Sequence, residues 1–401
     1  MVTVAWITPF APDRSGGGGQ IRQAHLLLAL ARRAQIELIC PGPVTDPDVR
    51  SAVARLVEVA PVAADWRGGH PWLRRAVDLG ASIVPCQPLE VRAFRPVRRT
   101  LGAAVASVDA DVVLVEFAGL APLLPPGHPR GRWVLTLHNL PSRMSAQQAS
   151  VLPHRRQRWF LTRDARAGSA FERRAAAAFD AVITCTDEDA AALGGVGSVL
   201  VVPNGVDIEQ FKPSPLPAAP RVVFTGALYT TPNVDAARWF CQEIWPQVRR
   251  EVPTASLDLV GARPVESVRA LARLNGVTVH ADVVSVVPSI AAARVAVVPI
   301  RVGSGTRLKA LEAMAAGRPV VGTAIGLEGL GLRAGVNALV ADDAATFAAA
   351  VVRVLRDDDL AAALAAAGRR EVEERFAWAA IAASFAQSVV AQANRGDSEG
   401  S

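Results

Sequence analysis

Lysine is almost missing from this chain. It occurs twice in 401 residues, at Lys212 and Lys309, so arginine supplies the other 41 of the 43 basic residues. A bias of that size reflects base composition, and each remaining lysine marks a place where a compact ammonium does something a planar guanidinium does not. Cysteine is scarce too. Cys40, Cys86, Cys185 and Cys241 lie far apart, with no Cys-x-x-Cys pair and no His/Cys cluster at zinc spacing. This excludes a zinc module or a disulfide framework and predicts reduced, buried thiols. No uncharged apolar run reaches the roughly 18–20 residues needed to span a bilayer. The first residues enter a strand-like run, Val2 to Ile7, without the basic region, apolar stretch and cleavage site of a signal peptide. The expected location is cytoplasmic.

Aromatic residues make up 5% of the chain against 51% apolar overall, so small aliphatic side chains must fill the core, as in α/β layers. The length exceeds one ordinary core and predicts two domains. A net charge of +6 admits anionic ligands or a membrane surface and selects neither.

Apolar strand-like runs alternate with helical patterns along the chain. Val2–Thr8, the glycine run Gly16–Gly19, a helix carrying Leu26, Leu27 and Leu30, and the strand Gln35–Cys40 form a Rossmann-type opening unit, although G-x-G-x-x-G is not present. Further strands are predicted at Leu56–Val62, Asp111–Phe117, Arg132–His138, Ala181–Cys185 and Val199–Val202. His138 and Asn139 stand at a strand end, where open α/β sheets place ligand-binding residues. The stretch from Arg155 to Arg174 is helical in pattern and basic, with Trp159, Phe160 and Phe171 interleaved. It reads as a solvated amphipathic face or as a patch for an anionic acceptor or membrane surface. No nucleic-acid-binding motif accompanies it.

The segment 212–220 holds four prolines and is predicted to link an N-terminal domain, 1–211, to a C-terminal domain, 221–377. The second half restarts the alternation. Strands are predicted at Arg221–Thr225, Ser256–Val260, Val277–His280, Val295–Ile300, Pro319–Thr323 and Asn337–Val340, and a long helix at Asn233–Glu251. Three helices close the chain, the last at 378–393, before a polar tail, 394–401, expected to be flexible.

Most of the chemistry lies in Pro299–Val321, PIRVGSGTRLKALEAMAAGRPVV. A strand runs into a small-residue loop and then a predicted helix, Arg307 to Ala316. Backbone N–H groups and the helix dipole make such a place an anion site. Arg307 and Lys309 in the first turn are unfavourable against that dipole unless an anion binds there.

Four stretches together resemble the retaining GT-B glycosyltransferases of family 4, which include many bacterial mannosyl-, glucosyl- and N-acetylglucosaminyltransferases. They are the Gly17-Gly18 region, VVPNGVD at Val201–Asp207, FTGALYTTPNVDAARWF at Phe224–Phe240, and GSGTRLKALEAMAAGRPVV at Gly303–Val321. The resemblance covers essentially the whole chain in order. It implies two Rossmann-like doubly wound domains facing an interdomain cleft, with the final helix crossing back to the N-terminal domain. It implies transfer of a sugar, with retention, from a UDP- or GDP-sugar to a small-molecule, glycan or lipid-linked acceptor, without cofactor or essential metal. Donor binding falls to Gly17, Gly18, Gly226, Ser304, Gly305, Thr306, Leu308 and Glu312, with Glu312 on the ribose. His138 and Asn139 lie on the acceptor side, and His138, Arg307 and Lys309 are the expected catalytic groups. Asn204 and Gly205 are expected to shape a turn at the domain hinge.

Three positions depart from the family pattern. Ser304 stands where the first glutamate of the motif usually reads the donor sugar. Ala227 and Pro232 stand where an arginine and a lysine usually hold the phosphates. Relocation of that charge to Arg307 or Lys309 is the expectation. The alternatives are a pseudo-glycosyltransferase or nucleotide-sugar epimerase of the same fold, or an inactive partner protein.

Overall fold

The structure, a computed structural model, describes residues 1–60, 88, 91, 93–125, 130–152 and 154–399. Cys86 and the end of the strand predicted at Leu56–Val62 lie outside the described residues.

The chain forms two α/β units, each built on one parallel sheet. The first comprises Met1–Val202 with Ala382–Ser401, the second Pro203–Ile381. The division falls before the Pro-rich stretch rather than within it. Segment 203–211 is held by the second unit: Asn204 bonds Thr306, Val206 bridges Ala377, and the Phe211 carbonyl accepts from Arg369. Gly205 allows close approach there, since a Cβ would lie 2.7 Å from the Trp378 ring.

The first sheet contains β1 (Thr3–Ile7), β2 (Gln35–Pro41), β3 (Arg55–Val59), β4 (Val112–Glu116), β5 (Arg132–Thr136), β6 (Ala181–Thr184) and β7 (Ser198–Val201). Their order is β3-β2-β1-β4-β5-β6-β7. The central strands are buried on both faces, which is why they read as unbroken apolar runs. Val113, Val115, Trp133 and Leu135 form the middle of the core. Sheet order reverses between β1 and β4, and ligands bind outside the strand ends at such a switch point. Register sets Glu116, the last residue of β4, beside Thr136, the last of β5. His138 lies two residues past that end, on the loop rather than in the strand.

The second sheet contains β8 (Arg221–Thr225), β9 (Ser256–Gly261), β10 (Val277–Ala281), β11 (Val295–Val298), β12 (Val320–Gly322) and β13 (Leu339–Val340), ordered β10-β9-β8-β11-β12-β13. Its switch point lies between β8 and β11, the strands that lead to Gly226 and to the Gly303–Arg307 loop.

Two helices differ from expectation. The helix expected at Asn233–Glu251 starts at Thr231 and holds a π-helical segment, Phe240–Ile244, ahead of Trp245–Glu251. Pro246 supplies no N–H and crowds the preceding turn, and widening the helix accommodates it. The last helix runs Trp378–Glu399, so most of the tail expected to be flexible continues it. Extending a formed helix requires no new nucleus. Cys40, Cys185 and Cys241 are buried thiols, and burial pushes them up to about 12, 11 and 12.

Candidate functional site

In the second unit the helix after β11 runs Leu308–Ala315, so Arg307 is its extended N-cap residue and not part of the first turn. Its guanidinium turns back onto the loop. Nη1 donates to the Ser304 carbonyl and, at 3.0 Å, to the Gly305 carbonyl. Tight-loop carbonyls need donors, and Arg307 meets two of them. Gly303 permits this packing, because a Cβ would lie 2.4 Å from Arg307 Nη2, and Gly305 takes a left-handed φ of 76°. Asn204 closes the loop from the other side: its backbone N–H donates to Thr306 Oγ1 at 3.3 Å and its amide to the Thr306 carbonyl at 3.2 Å. Asn204 therefore clamps the glycine loop within its own unit. Ser304 and Thr306 are buried.

Lys309 points elsewhere. Its ammonium donates to Asn233 Oδ1 at 2.6 Å and stands 4.2 Å from the centroid of the Phe224 ring. A Cβ on Gly226 would come within 2.7 Å of Nζ. The amine thus occupies the gap between the end of β8 and the start of the Thr231–Trp239 helix. That gap is flanked by Ala227 and Pro232, the two positions where the usual cations are missing. Asn233 is fixed in turn by donating its amide to the Ala227 carbonyl at 3.0 Å. Burial lowers the Lys309 pKa to about 7; nearby Arg307 adds to this and Glu312 opposes it. One turn on, burial raises the Glu312 carboxyl to about 7, against the pull of Lys309. Leu308, Lys309 and Glu312 keep part of their surface exposed, so this face of the helix is open to a ligand. The arrangement offers one displaceable cation, first-turn N–H groups and a carboxylate, a set suited to a phosphorylated diol.

In the first unit the helix Gly18–Leu30 begins inside the glycine run, with Gly17 as N-cap. Gly17 N–H donates to Gln20 Oε1 at 3.1 Å, and Gln20 Nε2 donates to the Ala11 carbonyl at 3.0 Å. Arg14 anchors the preceding loop to Asp46 at 2.8 Å and holds that carboxyl down at about 2. His138 Nε2 lies 2.6 Å from Glu116 Oε2. Its ring stacks on Phe117 at 4.1 Å and 16°. Burial pushes the imidazole pKa down, against Glu116, while Arg22 lowers it further. Asn139 donates to Met144 Sδ at 3.5 Å.

Sequence reasoning missed Glu116, Asn233 and the clamping role of Asn204. Each matters through a partner far along the chain, and only the two cation gaps at Ala227 and Pro232 pointed toward Asn233. The basic helix is observed at Arg155–Ala178, with Trp159 59% exposed and Arg163 5.7 Å from its ring. Among the described residues no cluster of three or more His, Cys, Asp or Glu is placed to hold a metal ion, and no helix is long and apolar enough to cross a membrane.

Two family models match the chain. Residues 16–210 match glycosyltransferase family 4, and residues 219–357 match glycosyl transferases group 1. A GDP-mannose-dependent alpha-(1-6)-phosphatidylinositol monomannoside mannosyltransferase of Mycobacterium tuberculosis is 31% identical over 223 residues, 49% of this chain and 57% of that protein. A D-inositol 3-phosphate glycosyltransferase of Geodermatophilus obscurus is 30% identical over 205 residues, 45% of this chain and 44% of that protein. The alignments thus span about half the length of these relatives. Among solved structures, a sucrose-phosphate synthase from Thermosynechococcus elongatus superposes with a TM-score of 0.72 at 19% identity, covering 96% of this chain and 98% of that one. Anabaena Alr3699/HepE in complex with UDP-glucose gives 0.63 at 14% identity, covering 98% and 100%.

Proposed function

Because this chain belongs to the group 1, family 4 glycosyltransferases and has their GT-B fold, we propose that it transfers a sugar from a nucleoside diphosphate donor to a hydroxyl acceptor with retention at the anomeric carbon. The observation that carries the reading is Lys309, whose ammonium lies against Gly226 and the start of the Thr231–Trp239 helix. Charge builds on the departing diphosphate in the transition state, and a preorganised cation beside it lowers the barrier most. The first-turn N–H groups at Leu308 and Lys309 add to that stabilisation, in a reaction that on this reading needs no metal. Glu312 accepts from the ribose hydroxyls. Gly305, Thr306 and Ser304 shape the loop around the phosphates and sugar, with Arg307 holding the loop in form. Gly17 and Gly18 let a helix N-terminus approach the donor, and His138 and Asn139 lie on the acceptor side.

The donor is a UDP- or GDP-sugar. UDP-glucose occupies the Anabaena protein and GDP-mannose serves the mycobacterial relative, by their names. The same relative acts on a phosphatidylinositol glycoside, and the exposed basic helix Arg155–Ala178 suits an acceptor met at an anionic membrane surface. Hydrolysis of a panel of UDP-, GDP- and dTDP-sugars tests the reading without an acceptor. One base and one sugar should turn over above the rest. A protein that hydrolyses none, and whose melting temperature no nucleoside diphosphate raises, is an inactive partner instead.

A further inference from the structure

We propose that Glu116 is a positioning residue for His138, and that the pair, with Gly19, presents His138 Nδ1 as a bare acceptor for a sugar hydroxyl. The inference rests on the transferase reading and assigns work to two residues it leaves idle.

Glu116 is the last residue of β4, and its side chain is 1% exposed. Nε2 lies 2.6 Å from Glu116 Oε2, and with the carboxylate oxygen as acceptor the imidazole proton sits on Nε2. In the neutral ring the other nitrogen then carries a lone pair. Neutrality follows from burial, which keeps the imidazole pKa down. The charged groups acting on the ring are Glu116 and Arg22, and the Arg22 Nη2 is itself bonded to the Val202 carbonyl at 2.8 Å. The ring plane is fixed as well. It lies flat on Phe117, an aromatic residue at φ 70°, a backbone region L-residues seldom adopt and that concentrates at functional sites.

Gly19 decides what Nδ1 faces. A Cβ at this position would lie 3.5 Å from His138 Nδ1, 3.5 Å from Phe117 Cζ and 3.1 Å from Phe10 Cζ. Glycine keeps a side chain off that edge of the imidazole. An approaching hydroxyl supplies the donor that Nδ1 needs, which a phosphate dianion does not.

Nitrogen-detected NMR of imidazole-labelled protein tests the tautomer independently of catalysis, with His138→Gln giving the assignment. Wild-type His138 should show hydrogen on Nε2 only. In Glu116→Gln the amide can donate to Nε2, so the Nδ1–H form should appear, and Glu116→Asp should restore the original tautomer. Methyl α-D-mannopyranoside should shift Nδ1 in the wild type and not in Gly19→Ala. With the donor found by the panel, Glu116→Gln and Gly19→Ala should each lower transfer about 100-fold while nucleoside diphosphate affinity stays within about 2-fold. An Nδ1–H form in the wild type, or a tautomer indifferent to Glu116, overturns this inference alone. Wild-type protein that transfers no sugar, with the tautomer as stated, overturns the transferase reading instead.

Discussion

Arg307 and Lys309 are two residues apart and face different tasks. Arg307 satisfies loop carbonyls, whereas Lys309 carries its charge to Gly226 and Asn233. Lys309→Ala should therefore lower turnover by about 10²-fold or more, as loss of a transition-state charge contact does. Arg307→Ala should also lower turnover, but together with melting temperature, because the loop loses its tie. Steady-state kinetics alongside thermal unfolding separates the two. A pH effect follows from the depressed amine. Free Lys309 titrates at about 7 and is mostly uncharged at pH 8. A diphosphate beside it raises its affinity for a proton, so binding draws one from solution. Calorimetry in buffers of different ionisation enthalpy should show proton uptake at pH 8 and little at pH 6, with the pH 8 uptake clearly smaller in Lys309→Ala, where only Glu312 still titrates in this range. The missing cations at Ala227 and Pro232 were visible in the sequence, and so was Lys309. Relocation of that charge to Arg307 or Lys309 was expected from the sequence as well; which of the two reaches the gap was not, because it depends on a helix after β11 reaching the end of β8. Glu116 was hidden for the same reason: in the sequence it is the last letter of an apolar run.

Strands were the most legible elements. Both sheets are parallel and covered on both faces, so each central strand is a run of Val, Ile and Leu with sharp ends. Helix starts were less so. Arg307 reads as helical by propensity, yet its donors serve the loop, and the helix waits one residue. Helix widening at Phe240–Ile244 was foreshadowed only by Pro246. The Arg155–Ala178 helix has no acid in its first turn, where Arg155 and Arg156 stand against the dipole, and Trp159 next to them is exposed. Anionic headgroups would relieve that conflict, and an indole prefers the membrane interface. Vesicles of phosphatidylcholine with one-third phosphatidylglycerol should sediment the protein at low salt, and pure phosphatidylcholine should not. The triple change Arg155→Glu, Arg156→Glu, Arg158→Glu should abolish the difference without altering donor hydrolysis.

The first unit is not contiguous in sequence. Its sheet ends at Val201, and its remaining part, Ala382–Ser401, arrives only after the whole of the second unit. The Phe385 ring of that late segment lies 5.9 Å from the Trp6 ring of β1, tilted at 55°, and both are buried. Phe385→Ala should cost the first unit about 3–5 kcal/mol, read as faster amide exchange in β1 and β2 with β8 and β9 unchanged. Length and composition indicated two cores. They could not indicate which residues closed the first one, because an Ala-rich helix packs equally well in either half.

The lysine count has a practical consequence for the intact chain. Only two side-chain amines exist, and Lys212 is exposed while Lys309 has its pKa lowered to about 7. An ordinary surface amine is protonated and inert near neutrality. A phosphate-bearing aldehyde followed by borohydride should therefore label Lys309 ahead of Lys212, and saturating nucleoside diphosphate should block it. Once the α-amino group is blocked, Lys309 becomes a one-point handle: a covalent titrant that counts donor-competent molecules in a preparation before any acceptor is known.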